Sequence, residues 1–332
     1  MNMSWDPGQL LKTSGCYWLA CTLHTSVKLD IFSIIGNNEK TSNEISLEIN
    51  SDSNSTTRLL DALVSMKLLN KKDDAYKNTP EANMFLNKAS EKYIGYMIMH
   101  HHHLVESWSK LDQSILTGKP VRSRSSVYDE DLRESFLMGM FNNALSIAPT
   151  IADKIDLSNR NHLLDLGGGP GTYAIHFCMK NPNLKATIFD LPSTLPFANK
   201  VISRFNINDR VSFIGGNFLT DEVTGIYDVA WLSHILHGES PGDCLKLIKK
   251  AVSVLKPGGL IIIHEFILNN SMDGPLFPAL FSLNMLIGTE SGQSYSEEQI
   301  SEMLSKAGVK NICRISVDTP NDSGIIIGHL ES

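Results

Sequence analysis

The ten residues His162-Leu-Leu-Asp-Leu-Gly-Gly-Gly-Pro-Gly171 decide the fold of this chain. An apolar run that ends in an acid and a glycine-dense turn is typical of a strand that delivers backbone to a ligand. Residues 172–180 have helical spacing, so the N-terminal amides of that helix open toward the same place. A strand, a tight turn and a helix in this order predict a nucleotide-like cofactor at the edge of a parallel sheet.

The periodicity of the chain changes near residue 155. Residues 1–155 have helical spacing almost throughout, whereas residues 161–332 alternate short β-branched runs with helical segments. The second pattern is typical of a doubly wound sheet. We therefore predict an α/β fold with a mostly helical domain over 1–155 and a sheet domain over 156–332. The predicted strands lie near 162–166, 185–190, 211–215, 227–233, 259–266, 311–317 and 323–330, the last two forming a hairpin.

Residues 41–79 predict a winged helix within the first domain. It would consist of helices over 41–49 and 54–67 and a two-stranded wing over 69–78 that turns at Asp73-Asp74. The second of these helices has a single arginine and a long apolar stripe, so it could not supply several phosphate contacts. We expect an interaction surface here rather than a DNA-binding surface.

Composition bounds the class of protein. The chain has 332 residues, 42% of them hydrophobic, which is enough for two domains with sizeable cores. It has 29 Lys and Arg against 36 Asp and Glu, and this net charge of −7 argues against a nucleic-acid partner. The five cysteines have no metal-binding spacing, and neither a signal peptide nor a membrane-spanning run is evident. We expect a cytoplasmic protein with reduced thiols and without a membrane, nucleic-acid or metal partner.

Four short motifs occur in a fixed order along the chain: Asp165-Leu-Gly-Gly-Gly-Pro-Gly171, Phe189-Asp-Leu-Pro192, Gly215-Gly-Asn-Phe218 and Leu255-Lys-Pro-Gly-Gly259. In this order they resemble the class I S-adenosylmethionine-dependent methyltransferases. The Asp-Leu-Pro form and the helical first half resemble the small-molecule O-methyltransferases of plants and bacteria, the caffeate and acetylserotonin type. The resemblance implies a seven-stranded Rossmann-like domain, a winged-helix dimerisation domain, a homodimer, S-adenosylmethionine as cofactor and a small, hydroxylated aromatic substrate.

The glycine-rich turn alone does not select the cofactor, because nicotinamide and flavin proteins also use one. Asp190 ends the next predicted strand about 20 residues further on, where an acid can accept hydrogen bonds from both ribose hydroxyls. The alternative for Asp190 is the N-cap of a helix, since Leu-Pro-Ser follows it. The residues expected at the cofactor are Asp165, Gly167, Gly168, Gly169, Gly171, Asp190, Leu191, Gly216, Asn217, Phe218, Ser233 and His234.

The candidate general base is His237, which follows the fourth predicted strand at the sheet edge where ligands bind. Methyl transfer to a hydroxyl requires removal of its proton, and histidine is well matched to this near neutral pH. By resemblance His237 matches the family's base, and Glu265 matches its first supporting glutamate. His234 is the rival histidine. An acid after three isoleucines, as Glu265 is, needs a buried partner, which favours a pairing role.

The chain also departs from the family pattern. Gly238-Glu239 stands in place of Asp-Trp, Ser294 in place of a second supporting glutamate, and Asn217 in place of an aspartate. These departures leave three alternatives open: N- or S-methylation, a reaction other than methylation that uses the same cofactor, and a winged-helix regulator. The residues expected to line the substrate pocket are His103, Met140, Asn142, Phe281, Asn284 and Met285.

Four consecutive histidines, His100 to His103, form an unusual run. On a helix their side chains point in four directions, so at most two could share one metal ion. We expect a structural or substrate-lining role for this run.

Overall fold

The computed structural model describes residues 5–122 and 129–331. Its contacts divide the chain into two compact units, Met1–Val105 and Glu106–Ser332. This division falls earlier than the boundary at residue 155 that periodicity predicts. The reason lies in α9 (Glu130–Lys154), which packs against α10 (Thr172–Lys180) of the sheet domain. Helical periodicity in the sequence identifies a helix but does not show which domain the helix packs against.

The first unit is mostly helical. The two helices and the hairpin predicted over 41–79 are present, and the hairpin turns at Asp73, which has a φ of 51°. Each of these helices has an N-terminal capping residue. Thr41 forms a capping box with Glu44, and Asp52 accepts a hydrogen bond from the amide of Ser55. The elements of this unit are α1 (Pro7–Ser14), α2 (Tyr17–Lys28), α3 (Ile31–Ile35), β1 (Lys40–Thr41), α4 (Ser42–Glu48), α5 (Ser53–Ser65), β2 (Leu69–Lys72), β3 (Ala75–Asn78), α6 (Pro80–Phe85) and most of α7 (Gly95–Trp108).

The second unit is built around a seven-stranded sheet with helices between its strands, as predicted. Its helices, besides α9 and α10, are α8 (Leu111–Thr117), α11 (Leu195–Arg204), α12 (Pro241–Ser253), α13 (Leu276–Gly288) and α14 (Glu297–Lys306). Its strands are β4 (His162–Leu166), β5 (Lys185–Asp190), β6 (Val211–Gly215), β7 (Tyr227–Ser233), β8 (Leu255–Phe266), β9 (Lys310–Ile315) and β10 (Ser323–His329).

The strand order in this sheet is β6-β5-β4-β7-β8-β10-β9, with only β10 antiparallel to its neighbours. After β4 the chain builds outward through β5 and β6 and then returns to place β7 on the other side of β4. The chain therefore leaves β4 and β7 in opposite directions along the sheet, and in open α/β sheets such a reversal places a crevice at the carboxyl ends of the two strands. Such a switch point is where ligands bind in open α/β sheets.

The predicted strand ends are accurate at this switch point and less so elsewhere. β8 begins at Leu255 rather than 259, because Leu255 pairs with Tyr227 ahead of a register shift. β9 ends at Ile315 rather than 317. Within the described residues, every helix is too short or too polar to cross a bilayer.

The glycine-rich turn between β4 and α10 depends on the absence of side chains. Gly171, which caps α10, has a φ of 79°, and a Cβ there would lie 2.2 Å from the Cδ1 of Ile188. Both the left-handed backbone and the packing against β5 thus require glycine at this position.

We predict that Gly171→Ala destabilises the protein by about 1–3 kcal/mol, because it adds backbone strain and a clash with Ile188. Gly242→Ala is the matched control. Gly242 lies in the first turn of α12, and the nearest atom to a Cβ there is 3.8 Å away. Urea unfolding of both variants tests this, and an equal midpoint for the two would contradict it.

Candidate active site

The turn after β4 exposes backbone toward the crevice. Gly167 and Gly169 have φ values of 69° and 54°, and a Cβ at Gly169 would meet nothing within 4 Å. The amide of Gly167 donates to the carbonyl of Phe189, which ties the turn to β5. The turn therefore has a fixed inner side and an open outer side, as a backbone cradle for a ligand requires.

Asp165 lies on the inner side of this turn. Its side chain is buried beneath Gly168, where a Cβ would come within 2.5 Å of its Cγ. Neither carboxyl oxygen has a hydrogen-bond partner among the described residues. Burial and the nearby Asp190 carboxylate raise the pKa of Asp165 to about 8.

Asp190 lies at the end of β5 and faces the turn. One carboxylate oxygen accepts from the amide of Gly169 at 2.8 Å, and the other accepts from the amide of Leu191 at 2.7 Å and the hydroxyl of Thr194 at 3.0 Å. Burial raises the pKa of Asp190, and these three hydrogen bonds oppose that rise. The bonds to Leu191 and Thr194 resemble the capping role considered as the alternative for Asp190, while its contact with Gly169 ties it to the predicted cofactor turn.

A third loop, over 216–221, follows β6 at the same sheet edge. Asn217 uses its side-chain oxygen to accept from the amide of Leu219, so this part of the side chain shapes the loop itself. A Cβ added to Gly167 would lie 3.3 Å from the Phe218 ring, so this ring packs against the glycine-rich turn. Lys250 of α12 donates to the carbonyl oxygens of Phe218, Leu219 and Asp221. No sequence motif pointed to Lys250, because its partners are backbone atoms distant in the chain.

His237 and Glu265 form a close pair beside the loop that follows β7. His237 lies in a 3₁₀ turn, Leu236–Gly238, that follows β7, and Glu265 lies at the end of the neighbouring β8. Nδ1 of His237 is 2.8 Å from Oε2 of Glu265, and the Glu265 side chain is 3% exposed. The pairing predicted from sequence is thus present in the structure.

The charge state of Glu265 determines the tautomer of His237. Burial alone would raise the pKa of Glu265, but the nearby His237 and His234 rings and the hydrogen bond with His237 outweigh it and hold that pKa well below its usual range. A carboxylate can only accept, so Nδ1 of His237 carries the hydrogen. The lone pair of the neutral ring is then on Nε2, the nitrogen that can receive a proton.

The backbone of this turn is held from several sides. Oε1 of Glu265 accepts from the amides of Leu236 at 2.8 Å and His237 at 3.3 Å. The thiol of Cys244 donates to the carbonyl of Leu236, and the hydroxyl of Tyr295 donates to that of Glu239. Sequence reasoning missed Cys244 and Tyr295, since both act on backbone carbonyls. Together these contacts fix the position of the His237 ring.

Ser233 and His234 lead into the same turn but have different partners. The hydroxyl of Ser233 lies 3.0 Å from Nδ1 of the fully buried His264, whose Nε2 lies 2.9 Å from the hydroxyl of Ser323. Burial and His234 hold the pKa of His264 well below its usual value, so its ring is neutral. Ser233 thus belongs to a buried network.

His234 has a φ of 56°, and its ring lies 4.3 Å from that of Phe266. Its Nδ1 is 3.7 Å from Oε2 of Glu265, beyond the distance of a hydrogen bond. His234, His237 and Glu265 are the single group in the described part of the chain that brings three potential metal ligands within 4.8 Å of one another. His237 and Glu265 already pair directly, and we call this pair the dyad. The pairing by itself explains why these three side chains lie close together.

Ser294 does not contact His237 as a second supporting glutamate would. Its hydroxyl donates to the carbonyl of Pro278 at 2.8 Å, and its amide donates to Ser282, so it holds α13. Gly292, in the same segment, packs so closely that a Cβ there would lie 2.5 Å from the His237 carbonyl oxygen. In this protein Glu265 is the carboxylate paired with the His237 ring.

The predicted substrate-lining residues occupy several elements. The Phe281 ring meets that of His237 edge-on at 4.8 Å, and Asn284, one turn further along α13, accepts from the indole nitrogen of Trp108 at 3.1 Å. Phe281 thus lies beside the His237–Glu265 pair. Met285 is buried on α13, Met140 and Asn142 are half-buried on α9, and His103 lies on α7 in the first unit. For all six residues, a substrate contact stays a prediction.

The histidine run lies on α7. The His102 ring is 5.8 Å from that of His24, and its Nε2 is 3.3 Å from Nζ of Lys28. Burial and the neighbouring His102 and His101 lower the pKa of His24. At least one member of the run therefore has a packing role against α2.

A sheet of this order, with a glycine-rich turn after β4 and a histidine–glutamate pair after β7 and β8, defines a class I methyltransferase. The chain matches the O-methyltransferase domain over residues 117–310 and the O-methyltransferase dimerisation domain over residues 11–88. It belongs to the O-methyltransferase family.

Relatives match over most of the chain. It is 26% identical over 317 residues to the 3-hydroxy-5-methyl-1-naphthoate 3-O-methyltransferase of Streptomyces sahachiroi, covering 94% of this chain and 92% of that enzyme. It is 30% identical over 272 residues to the acetylserotonin O-methyltransferase of Gallus gallus, covering 77% and 78%. The solved structure of an O-methyltransferase family protein from Burkholderia thailandensis has a TM-score of 0.88 at 26% identity, covering 99% of each chain.

We predict that Glu265→Gln reverses the tautomer of His237. The amide nitrogen of glutamine donates where the carboxylate accepted, so the hydrogen on Nδ1 loses its partner and moves to Nε2. Nitrogen-15 NMR of the imidazoles distinguishes the two tautomers. The exposed Glu290→Gln is the control and leaves the spectrum unchanged. A His237 ring with the same tautomer in all three proteins would contradict this assignment.

Proposed function

We propose that this protein transfers a methyl group from S-adenosylmethionine to a hydroxyl of a small aromatic metabolite, with His237 as the general base. The observation that carries the proposal is the 2.8 Å contact between His237 and the buried Glu265, next to the glycine-rich turn. The names of the relatives specify O-methylation of a hydroxynaphthoate and of acetylserotonin. Phe281 beside His237 supplies a flat apolar surface for such a ring.

The residues at the sheet edge fit a nucleoside cofactor with positive charge. Gly169 offers open backbone, and Asp190 has acceptor oxygens for ribose hydroxyls. The Phe218 ring beside Gly167 offers an apolar wall. Asp165 is a buried carboxyl without a hydrogen-bond partner among the described residues, so a cationic ligand would compensate its charge. In the proposal Gly167, Gly168, Gly171, Leu191, Gly216, Asn217, Ser233 and His234 complete the cofactor site.

Each residue of the dyad has one task in the proposed step. The cofactor, when bound, supplies a methyl group on a sulfonium as the electrophile. Nε2 of His237 would accept the proton of the substrate hydroxyl as the oxygen forms its bond to the methyl carbon and the bond from that carbon to sulfur breaks, which leaves the neutral thioether. Glu265 holds the ring through Nδ1 and stabilises the imidazolium. The clamped turn fixes Nε2 in position, and such positioning supplies much of the rate in a two-substrate transfer.

The test of this function pairs calorimetry with methyl-transfer assays on panels of phenols, amines and thiols. We expect S-adenosylmethionine to bind and a phenol to be methylated. His237→Gln should retain cofactor binding and lower turnover about 10²–10⁴-fold. His329→Gln, a histidine at the end of β10, is the matched control. Unchanged turnover in His237→Gln would refute the role of His237 as the general base. Failure of the wild-type protein to bind S-adenosylmethionine would refute the proposed function.

A second candidate is N- or S-methylation of a small molecule. It is favoured by Ser294, which holds α13 and does not support His237. A nucleophile that is already unprotonated has less need of a strong base. Transfer to an amine or a thiol but to no phenol would favour this candidate.

We also propose that the protein is a homodimer joined through α1 and α2. α1 has no buried residue in the single chain. Large apolar side chains on these helices and just before α1 are more than half exposed, which an interface would cover: Trp5, Leu10, Leu11, Tyr17, Trp18 and Leu19. The match of residues 11–88 to a dimerisation domain supports the same face.

Leu11→Glu combined with Trp18→Glu should convert the dimer to a monomer, because two charges would be buried in the interface. Leu47→Glu is the control, since Leu47 is as exposed as Leu11, at 73% against 74%, but lies on α4. Light scattering coupled to size exclusion measures the mass. A wild-type monomer, or a dimer that survives the double substitution, would refute this interface.

We also propose that the protein is cytoplasmic. All five cysteines are free thiols, and persistent free thiols are typical of a reducing compartment.

A further inference from the structure

Asp165 is a buried acid that takes no part in the proposed methyl-transfer step itself. It is 1% exposed, at the end of β4, and neither oxygen has a hydrogen-bond partner among the described residues. The backbone amide of Ala174 lies near the carboxyl group and slightly opposes the rise of its pKa. It does not meet the geometry of a hydrogen bond to either oxygen. The carboxyl lies directly beneath Gly168, so it faces the turn that would hold the cofactor.

The groups that face Asp165 do not neutralise it. They are Asp190 on β5 and Tyr173 and Cys178 on α10, and none of them carries positive charge. Burial, followed by the Asp190 carboxylate, raises the pKa of Asp165 to about 8, and burial raises the pKa of Cys178 to about 12. An unpaired buried carboxylate is costly, so the neutral acid is the form that the unliganded fold accommodates near neutral pH.

We propose that Asp165 holds a proton in the unliganded protein and releases it when the positively charged cofactor occupies the glycine-rich turn, so that the site prefers the sulfonium cofactor to its neutral thioether product. This inference rests on the proposed function. The O–H bond of the acid breaks, the proton passes to solvent, and the carboxylate that remains faces the positive charge. Once the methyl group has left, the positive charge on sulfur is gone, Asp165 takes a proton back, and the product binds more weakly.

Calorimetric titration in two buffers of different ionisation enthalpy counts the protons released on binding. The wild-type protein should release close to one proton with S-adenosylmethionine near pH 7 and clearly fewer with S-adenosylhomocysteine. Its affinity for S-adenosylmethionine should rise by up to about tenfold per pH unit between about pH 6 and pH 8, because binding then competes less with protonation. The preference for the cofactor over its product should rise over the same range.

Asp165→Asn keeps the shape of the side chain and removes the titration. It should release fewer protons, bind both ligands with more similar affinity and lose most of the pH dependence. Protons from other groups, including the amino group of the ligand itself, persist in this variant and are thereby subtracted. Asp156→Asn, at an exposed carboxylate outside the site, is the control and should behave as wild type. Equal proton release in wild type and Asp165→Asn, both folded and binding, would overturn the inference.

A second readout needs no ligand. The pKa of Asp165 is about 8 in the folded chain, against 3.8 for an ordinary aspartate. The folded state therefore binds more protons between these values, and stability is lost as pH rises toward about 8. Asp165→Asn should raise the melting temperature of the unliganded protein, and by more at about pH 8 than at about pH 5.

The two readouts separate the possible failures. If Asp165→Asn raised the melting temperature equally at both pH values, Asp165 would not hold a proton in the unliganded protein. This conclusion would not depend on the binding results. If the wild type bound neither ligand, the proposed function would fall together with the link to the cofactor. Binding of both ligands with no difference in proton release would overturn the inference alone.

Discussion

A single buried carboxylate, that of Glu265, organises the catalytic half of this protein. It accepts hydrogen bonds from the amides of Leu236 and His237 and from the imidazole of His237. Without such partners a charge buried at the end of β8 would be strongly unfavourable, and the neighbouring His237 and His234 hold the pKa of Glu265 below the ordinary value. The same contacts define where the His237 ring stands and which of its nitrogens can receive a proton. Structure and chemistry at this edge thus depend on one charge.

The sheet supplies the rest by geometry. β4 and β7 are neighbours whose following loops diverge, so the glycine-rich turn and the His237 turn form two walls of one crevice. Asp165 and Asp190 lie under and beside the first wall, and Glu265 lies under the second. The first wall has carboxyl groups suited to a positively charged nucleoside, whereas the second pairs its carboxylate with a base. Two similar acids can therefore serve different purposes, because their partners differ.

Much of this arrangement could be predicted from sequence. The strand ends at 166, 190, 215 and 233 and the helix over 172–180 are correct, since apolar runs bounded by glycines or acids leave little freedom there. The pairing of His237 with Glu265 was predicted from the family resemblance and from the need of an acid after three isoleucines for a partner. Contacts to distant backbone could not be predicted. Lys250, Cys244 and Tyr295 each hold a carbonyl, and a carbonyl leaves no signature in the sequence. Ser294 has a role in packing α13 that its aligned position did not suggest.

We propose that the glycine-rich turn holds the cofactor within reach of the His237–Glu265 pair. A crystal structure of the protein with S-adenosylhomocysteine tests it most directly. We predict that the ligand lies over Gly167 to Gly169, with its ribose hydroxyls within about 3.2 Å of the Asp190 carboxylate and its sulfur on the side of His237. A ligand bound elsewhere, or one whose sulfur faces away from His237, would contradict it.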